Sequence, residues 1–403
     1  MPFGFVTAFP FARAFARPLA NIAAAGAIFL GATAMAQAAG CGTPVQSGYQ
    51  TLTVPVGSIE RHAVIYIPPA YTGSEKLSVV FDFHGSNSNP RGQMERSSFD
   101  KVAAKEGFIV VAPQGSLSGK MPDTYAWNVP FVTTQEGGLD EIPFIKATVE
   151  AVKQDFCVDP TKIFASGYSG GGRMLSAYVC SGASDFASVG FVNSMRAGLP
   201  VERDGKWGPD PASCNPARPL SVIAFAGQKD VTNPYVGGGK PYWQYSFKVA
   251  LQRWTELDNC KGNGVSESAD GVTYSLYGTC GNGARIATYE FADADHEWPT
   301  PSSKQRVMAA AAESQAGVVK VSAAKKPSFD PNVDPAQRMW DFFRKADSTD
   351  LVAKATPAAA KAKAVVVVCG ADAAADQNAE GMTCSNSQPV DQRRSALGAK
   401  GAL

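Results

Sequence analysis

Three short stretches of this chain are near-continuous apolar runs rich in β-branched residues: Leu77–Phe83 (LSVVFDF), 108–112 (FIVVA) and 220–226 (LSVIAFA). A strand with one wet face alternates apolar and polar side chains, so a run without alternation must be covered on both faces. Between these runs lie stripes at helical spacing. Ile142, Ile145, Val149, Val152 and Phe156 form one, and Phe247, Leu251, Trp254 and Leu257 form another. Further strands are expected at 61–67, 162–166, 186–192 and 285–291, with helices at 173–179 and 339–343. Strand and helix patterns in alternation predict an α/β fold with a mostly parallel central sheet flanked by helices.

The chain has 403 residues, 45% of them hydrophobic, enough to bury a full core without staples. Arg13 and Arg17 precede an apolar run over 19–30, which ends in Ala34-Met35-Ala36-Gln37-Ala38. A basic start, an apolar middle and small residues at the end describe a secretory signal. Residues 1–38 are therefore expected to be that signal, 39–346 the main α/β domain, and 347–403 a flexible low-complexity tail rich in Ala and Lys. Within the main domain, 302–335 reads as a surface insertion. The formal charge of +1, from 37 basic and 36 acidic residues, argues against a nucleic-acid partner and against an electrostatic membrane anchor. No membrane attachment is expected once the signal is removed.

All 8 cysteines lie past the expected cleavage site. In an exported protein an even count reads as disulfides. The nearest pairs in sequence are Cys260 with Cys280 and Cys369 with Cys384. Cys157, Cys180 and Cys214 flank the Gly-rich segment described next and are candidates to pair among themselves. No pair has the close spacing of a zinc knuckle, and neither metal nor cofactor is expected.

The segment Gly167-Tyr168-Ser169-Gly170-Gly171 is a G-x-S-x-G pattern that follows an apolar strand and precedes a helix. A serine on such a sharp strand-to-helix turn stands proud of the sheet, and the next backbone N–H points at a developing oxyanion. Ser169 is the candidate nucleophile. The chain has only three histidines: His62, His84 and His296. In this arrangement the base comes last in chain order, after the nucleophile and the acid, and His296 alone does so. His62 reads as a strand residue and His84 as a brace for the loop after Leu77–Phe83. Asp230, between Ser169 and His296 in sequence, is the preferred acid, with Asp293 and Asp295 as competitors too close to His296 to reach its ring readily. The backbone N–H groups of Gly170 and Ser86 are the candidate oxyanion donors, with Gly85 as a neighbouring option. Trp127, Tyr168 and Trp298 are candidates for an aromatic substrate cleft.

Several of these segments together resemble a known group. FDFHGSNSN, CVDPTKIFASGYSGGGRM, AGQKD followed by NPY, and DHEWP are similar to the secreted esterase and polyhydroxybutyrate depolymerase family, which overlaps the carbohydrate esterases that include feruloyl esterases. Trp127-Asn128 followed by Asp140-Glu141 fits the same pattern. The resemblance covers roughly residues 41–344. It implies an α/β-hydrolase fold and a secreted serine esterase with Ser169, Asp230 and His296 as its triad. Trp298 would then wall the substrate cleft, and Cys157, before Asp-Pro, would sit in a disulfide. The implied substrates are esters: a hydroxyalkanoate polyester or oligomer, or a feruloyl polysaccharide ester. The segment after Trp298 and the Ala/Lys tail depart from the family. Two other readings of the same fold are a serine peptidase and a catalytically silent binding protein.

Overall fold

The computed structural model describes residues 40–129, 132–135, 138–300, 329–332 and 334–345. The expected signal (1–38), residues 302–328 of the expected insertion, and the tail with Cys369 and Cys384 lie outside the described residues.

The chain begins with an antiparallel pair, β1 (Gly48–Val56) and β2 (Ile59–Ile67), and continues into β3 (Leu77–Phe83). Two short helices follow, α1 (Pro90–Ser97) and α2 (Phe99–Glu106), then β4 (Ile109–Pro113). A small hairpin, β5 (Leu117–Ser118) with β6 (Tyr125–Ala126), precedes α3 (Glu141–Asp155). Next come β7 (Val158–Tyr168), α4 (Gly170–Cys180), β8 (Ser188–Val192) and a second hairpin, β9 (Pro200–Arg203) with β10 (Lys206–Pro209). The described elements close with β11 (Ser221–Gly227), α5 (Phe247–Leu257), β12 (Val265–Ala269), β13 (Val272–Tyr277), β14 (Ile286–Phe291) and α6 (Pro335–Arg344).

Ten strands form one sheet in the order β1-β2-β4-β3-β7-β8-β11-β14-β13-β12. Its six central strands run parallel, and antiparallel strands extend it at both edges. This is the α/β-hydrolase architecture. The central strands are buried on both faces, as their unbroken apolar runs require. Val79, Phe81 and Phe83 of β3, Ile109 and Val111 of β4, and Val222, Ala224 and Ala226 of β11 join one core, beneath α3, α4 and α5. Their neighbours Val80, Val110, Ala112, Ile223 and Phe225 join a second core, beneath α1, α2 and α6. The period-2 alternation of a strand thus divides one apolar run between two cores.

Local signals set the helix starts. Asn89 Oδ1 accepts from Gly92 N at the head of α1, and Asp140 Oδ1 from Ile142 N at the head of α3. Asp334 Oδ1 accepts from Ala336 N at the head of α6, where Pro335 takes the first helical position. Each such cap contributes about 1 kcal/mol. α6 is held down by Trp340, stacked 4.1 Å from Phe108, and by Phe343, stacked 5.0 Å from Phe164. Full burial of side chains this size contributes roughly 1.5–3 kcal/mol each.

Three disulfides join described residues: Cys41–Cys157, Cys180–Cys214 and Cys260–Cys280. The last is the expected pairing. Cys157, however, does not pair with Cys180 or Cys214. It faces the lead-in before β1 and takes Cys41, which leaves the end of α4 free to bond Cys214.

Candidate active site

β7 ends at Tyr168 and α4 begins at Gly170, so Ser169 makes the turn between them. Its backbone sits at φ 50°, ψ −114°, a conformation that costs a non-glycine residue on the order of 1–3 kcal/mol. The surroundings over-determine it. A Cβ on Gly167 would lie 2.6 Å from Gly172 Cα, and one on Gly171 only 2.2 Å from Phe83 O. Glycine alone lets strand and helix approach so closely. Ser169 N donates to Val192 O at 3.1 Å, which ties the turn to the end of β8.

The loop after β14 brings His296 over this turn. His296 Nε2 lies 2.8 Å from Ser169 Oγ, and His296 Nδ1 lies 2.7 Å from Asp230 Oδ2. A carboxylate only accepts, so Nδ1 carries the hydrogen and Nε2 is left to accept from the serine. The other oxygen of Asp230, Oδ1, accepts from Thr232 N at 2.8 Å and Asn233 N at 2.7 Å. The carboxylate is thereby aimed by its own loop. Ser169 and Asp230 are 7% and 5% exposed, so the chain of bonds is shielded from competing water. Such an arrangement can pass a hydroxyl proton to imidazole while the carboxylate stabilises the imidazolium.

The competing aspartates have other partners. Asp293 is exposed and pairs with Lys229 at 2.6 Å. Asp295 Oδ1 accepts from Val231 N and His296 N, which ties the His296 loop to the Asp230 loop. His62 is an exposed residue of β2, near Thr53.

His84 holds the loop beside the serine. Gly115 N donates to its Nε2 at 3.0 Å, so Nδ1 carries the hydrogen and donates to Gly85 O at 2.8 Å. Burial pushes this imidazole down to about 4, which keeps it neutral. A trans peptide places its C=O and N–H on opposite sides. Pinning Gly85 O to His84 therefore turns Ser86 N–H the other way. Ser86 N borders Gly170: a Cβ on Gly170 would lie 2.9 Å from it. The Gly170 N–H, at the first turn of α4, has no partner within the helix. The two donors can converge on one oxyanion.

The three aromatic candidates separate. Trp127 is fully buried, packed on Phe83 and His84, and its Nε1 donates to His84 O at 2.8 Å. It braces the His84 loop and lines no cleft, because no face of it reaches solvent. Tyr168 and Trp298 meet at 6.1 Å behind His296, and Tyr168 Oη donates to His296 O at 2.8 Å. Both are nearly buried, at 9% and 6% exposure. They support the His296 loop and offer the site an edge at most.

Asn193 escapes a sequence reading altogether. It follows β8 at φ 50° and, through its side chain and carbonyl, binds the end of β11, the loop after β11 and the loop after β14. A polar residue directly after the run Gly190-Phe191-Val192, at the same end of the sheet as Ser169, is the signal that points to it. Among the described residues, no cluster of three or more His, Cys, Asp or Glu could hold a metal ion.

The sequence is similar to those of named esterases. The chain is 26% identical over 233 residues to feruloyl esterase B of Piromyces equi, covering 56% of this chain and 40% of that protein. It is 29% identical over 205 residues to feruloyl esterase C of Emericella nidulans, covering 49% of this chain and 66% of that protein. The similarity to feruloyl esterases covers about half of this chain. The chain spans about 40% of the length of the Piromyces protein. No family model matches it. Among solved structures, acetyl xylan esterase from Aspergillus awamori superposes with a TM-score of 0.44 at 15% identity, over 65% of this chain and 98% of that one. The LpqC poly(3-hydroxybutyrate) depolymerase from Bordetella parapertussis superposes at 0.41 and 14%, over 62% and 86%. The α/β-hydrolase architecture is carried by the chain's own strand order.

Proposed function

We propose that the protein is a carboxylic ester hydrolase that works through an acyl-enzyme, with Ser169 as nucleophile, His296 as general base and acid, and Asp230 as its orienting carboxylate. One observation carries the reading: the unbroken chain from Ser169 Oγ through His296 to Asp230, at 2.8 and 2.7 Å. Its relatives by sequence are named as esterases, which supports it.

In the first step His296 Nε2 takes the Ser169 proton as Oγ bonds to the ester carbonyl carbon. The N–H groups of Gly170 and Ser86 stabilise the oxyanion. Collapse breaks the carbon–oxygen bond to the alcohol, which leaves with the proton from His296. Water then adds to the acyl-enzyme and gives its proton to His296. Collapse breaks the bond to Ser169 Oγ, which recovers that proton, and the acid departs. Asp230 stays ionised throughout.

The substrate class follows the relatives: a feruloyl-type ester, or a hydroxyalkanoate polyester or oligomer. Three disulfides support an oxidising compartment, extracellular or periplasmic. Among the described residues no helix is long and apolar enough to cross a membrane.

The test is hydrolysis of methyl ferulate, a hydroxybutyrate oligomer and p-nitrophenyl butyrate by purified protein, with Ser169→Ala as control. Turnover of an ester by the wild type and its loss in the variant are expected. No turnover of any of the three would overturn the proposal and favour a silent binding protein.

A further inference from the structure

Arg173 belongs to the first turn of α4, about one helical turn past Ser169. Two things oppose a cation there. The N-terminal end of a helix is itself positive. Arg173 is also only 6% exposed, so its guanidinium has given up most of its water. No carboxylate among the described residues touches it. Its Nη1 donates to Asn233 Oδ1 at 3.4 Å, its Nε has no hydrogen-bond partner among the described residues, and its guanidinium lies 4.8 Å from the Tyr242 ring centre. A neutral amide and a ring face offset little of what it costs to bury a full charge.

Asp230 is the mirror case. It is buried too, and its oxygens accept from His296 Nδ1, Thr232 N and Asn233 N, all uncharged donors while the imidazole is neutral. The two opposite charges meet across one residue. Asn233 takes Arg173 on its side-chain oxygen and gives its backbone N–H to Asp230. Asn233 is itself buried, and its Nδ2 donates to Asn193 O at 2.8 Å, so the bridge is fixed. Charges separated by one buried residue act on each other far more strongly than across water. Burial works against the charge on Arg173, and the fields of Tyr242 and Asp230 work for it. The consequence falls on His296. A buried, ionised carboxylate favours the imidazolium beside it, and an imidazolium has no lone pair to accept from Ser169. A cation behind the carboxylate opposes that protonation.

We infer that Arg173 is the permanent countercharge of Asp230, and that it acts across Asn233 and through Asp230 to keep His296 unprotonated and free to accept from Ser169. It is a positioning residue, since it touches no reacting atom. Its place in turnover rests on the esterase reading, but the charge relation does not. The other titratable groups around this line are Tyr242, Arg196 and Lys240 on the side of Arg173, and Tyr168, Asp295 and Glu297 on the side of His296. Asp295 and Glu297 are exposed, as is the pair Lys229–Asp293, so water and salt screen them. All of them stay in place when Arg173 alone is changed.

The test is an NMR titration of the His296 ring protons in full-length protein, where only three histidines contribute and His296→Gln assigns the signal. Arg173→Met removes the charge and keeps an unbranched side chain. Its His296 midpoint is expected to lie about 0.3–1 pH unit above that of the wild type. The acid limb of kcat/KM for p-nitrophenyl butyrate is expected to move up with it. Arg173→Lys, which keeps a cation, is expected to restore both. An arginine that only shapes the fold would lower Tm and move neither. An unmoved or lowered midpoint in Arg173→Met, or an equal rise in Arg173→Lys, overturns the inference. If Arg173→Met does not fold, the wild type decides: the Arg173 Nε–H resonance is expected to shift with the His296 midpoint, and its indifference to that titration sinks the countercharge. A charge-dependent midpoint in a protein that cleaves no ester would fell the esterase reading and leave the countercharge standing. An active wild type beside an unmoved midpoint in Arg173→Met would do the reverse.

Discussion

Asn193 Nδ2 donates to the carbonyl of Glu297 at 2.8 Å, so a side chain at the end of β8 holds the residue next to His296. The same amide accepts from Gly227 N through Oδ1 at 3.0 Å, and Asn193 O accepts from Asn233 Nδ2 at 2.8 Å. One buried residue therefore fixes the loops of both Asp230 and His296, the proposed acid and base. Asn193→Gly keeps a backbone free to adopt φ 50° but removes both side-chain bonds. It is expected to lower kcat about tenfold or more with KM nearly unchanged, since a misplaced base affects the transition state rather than binding. Asn193→Ala adds left-handed strain of roughly 1–2 kcal/mol, visible as a lower Tm than that of the glycine variant. A kcat equal to wild type in both would show that Asn193 acts on the fold alone.

His84 holds the peptide that carries the Ser86 N–H, the proposed oxyanion donor, without touching the reacting atoms. His84→Phe keeps an aromatic ring in the pocket but cannot hold Gly85 O, so Ser86 N–H is free to turn away. Outright loss of one such donor costs about 10²–10³ in kcat. A loosened donor is expected to cost part of that, on esters with good and poor leaving groups alike. Steady-state kinetics against two p-nitrophenyl esters and one methyl ester would measure it. An unchanged kcat in a folded variant would remove Ser86 from the oxyanion site.

Beneath that loop, Glu141 accepts from Arg61 at 2.7 Å, from Ser116 N and Oγ, and from Asn128 N. Both partners of the ion pair are buried, Glu141 completely. Glu141→Ala leaves Arg61 buried without its anion, for which about 3–5 kcal/mol of lost stability is expected. A denaturant midpoint is the measurement, and a loss under about 1 kcal/mol would contradict a buried, working pair.

The apolar runs 77–83, 108–112 and 220–226 were legible as central strands because burial on both faces leaves no alternation to confuse with a helix. The serine turn was legible because close approach admits only glycine around it. The edges were harder. β12 and β13 are half-polar, and their one strong signal is Asp270-Gly271, both at positive φ. That is the signature of a two-residue hairpin, and Asp204-Gly205 marks the β9–β10 hairpin in the same way. Trp127 read as a cleft residue because sequence cannot tell a buried indole from an exposed one. Cys157 was legible as a disulfide residue but its partner was not, because Cys41 lies 116 residues away.

Asp82 should make stability depend on pH in a direction opposite to that of most carboxylates. It lies fully buried on β3, where Ser97 Oγ donates to Oδ2 at 2.6 Å and Gln93 Nε2 to Oδ1 at 3.0 Å. Burial outweighs those bonds and the field of Arg96, and pushes the carboxyl from 3.8 up to about 7. Between those two values the folded chain binds the proton and the unfolded chain does not, so its contribution is fully present below pH 3.8 and is lost as pH rises through about 7. Linkage bounds it at about 4 kcal/mol. Asp258, also raised to about 7 by burial, adds a slope of the same sign. His84, lowered to about 4, adds one of the opposite sign, costing stability as pH falls below 6.5. Asp82→Asn keeps the shape without the titration, so the variant minus wild type isolates this one group. Urea midpoints at pH 5 and pH 7.5 should show the wild type losing more stability than Asp82→Asn as pH rises between them. Parallel behaviour of the two proteins would mean that Asp82 is ionised at pH 5 and held by its hydrogen bonds after all.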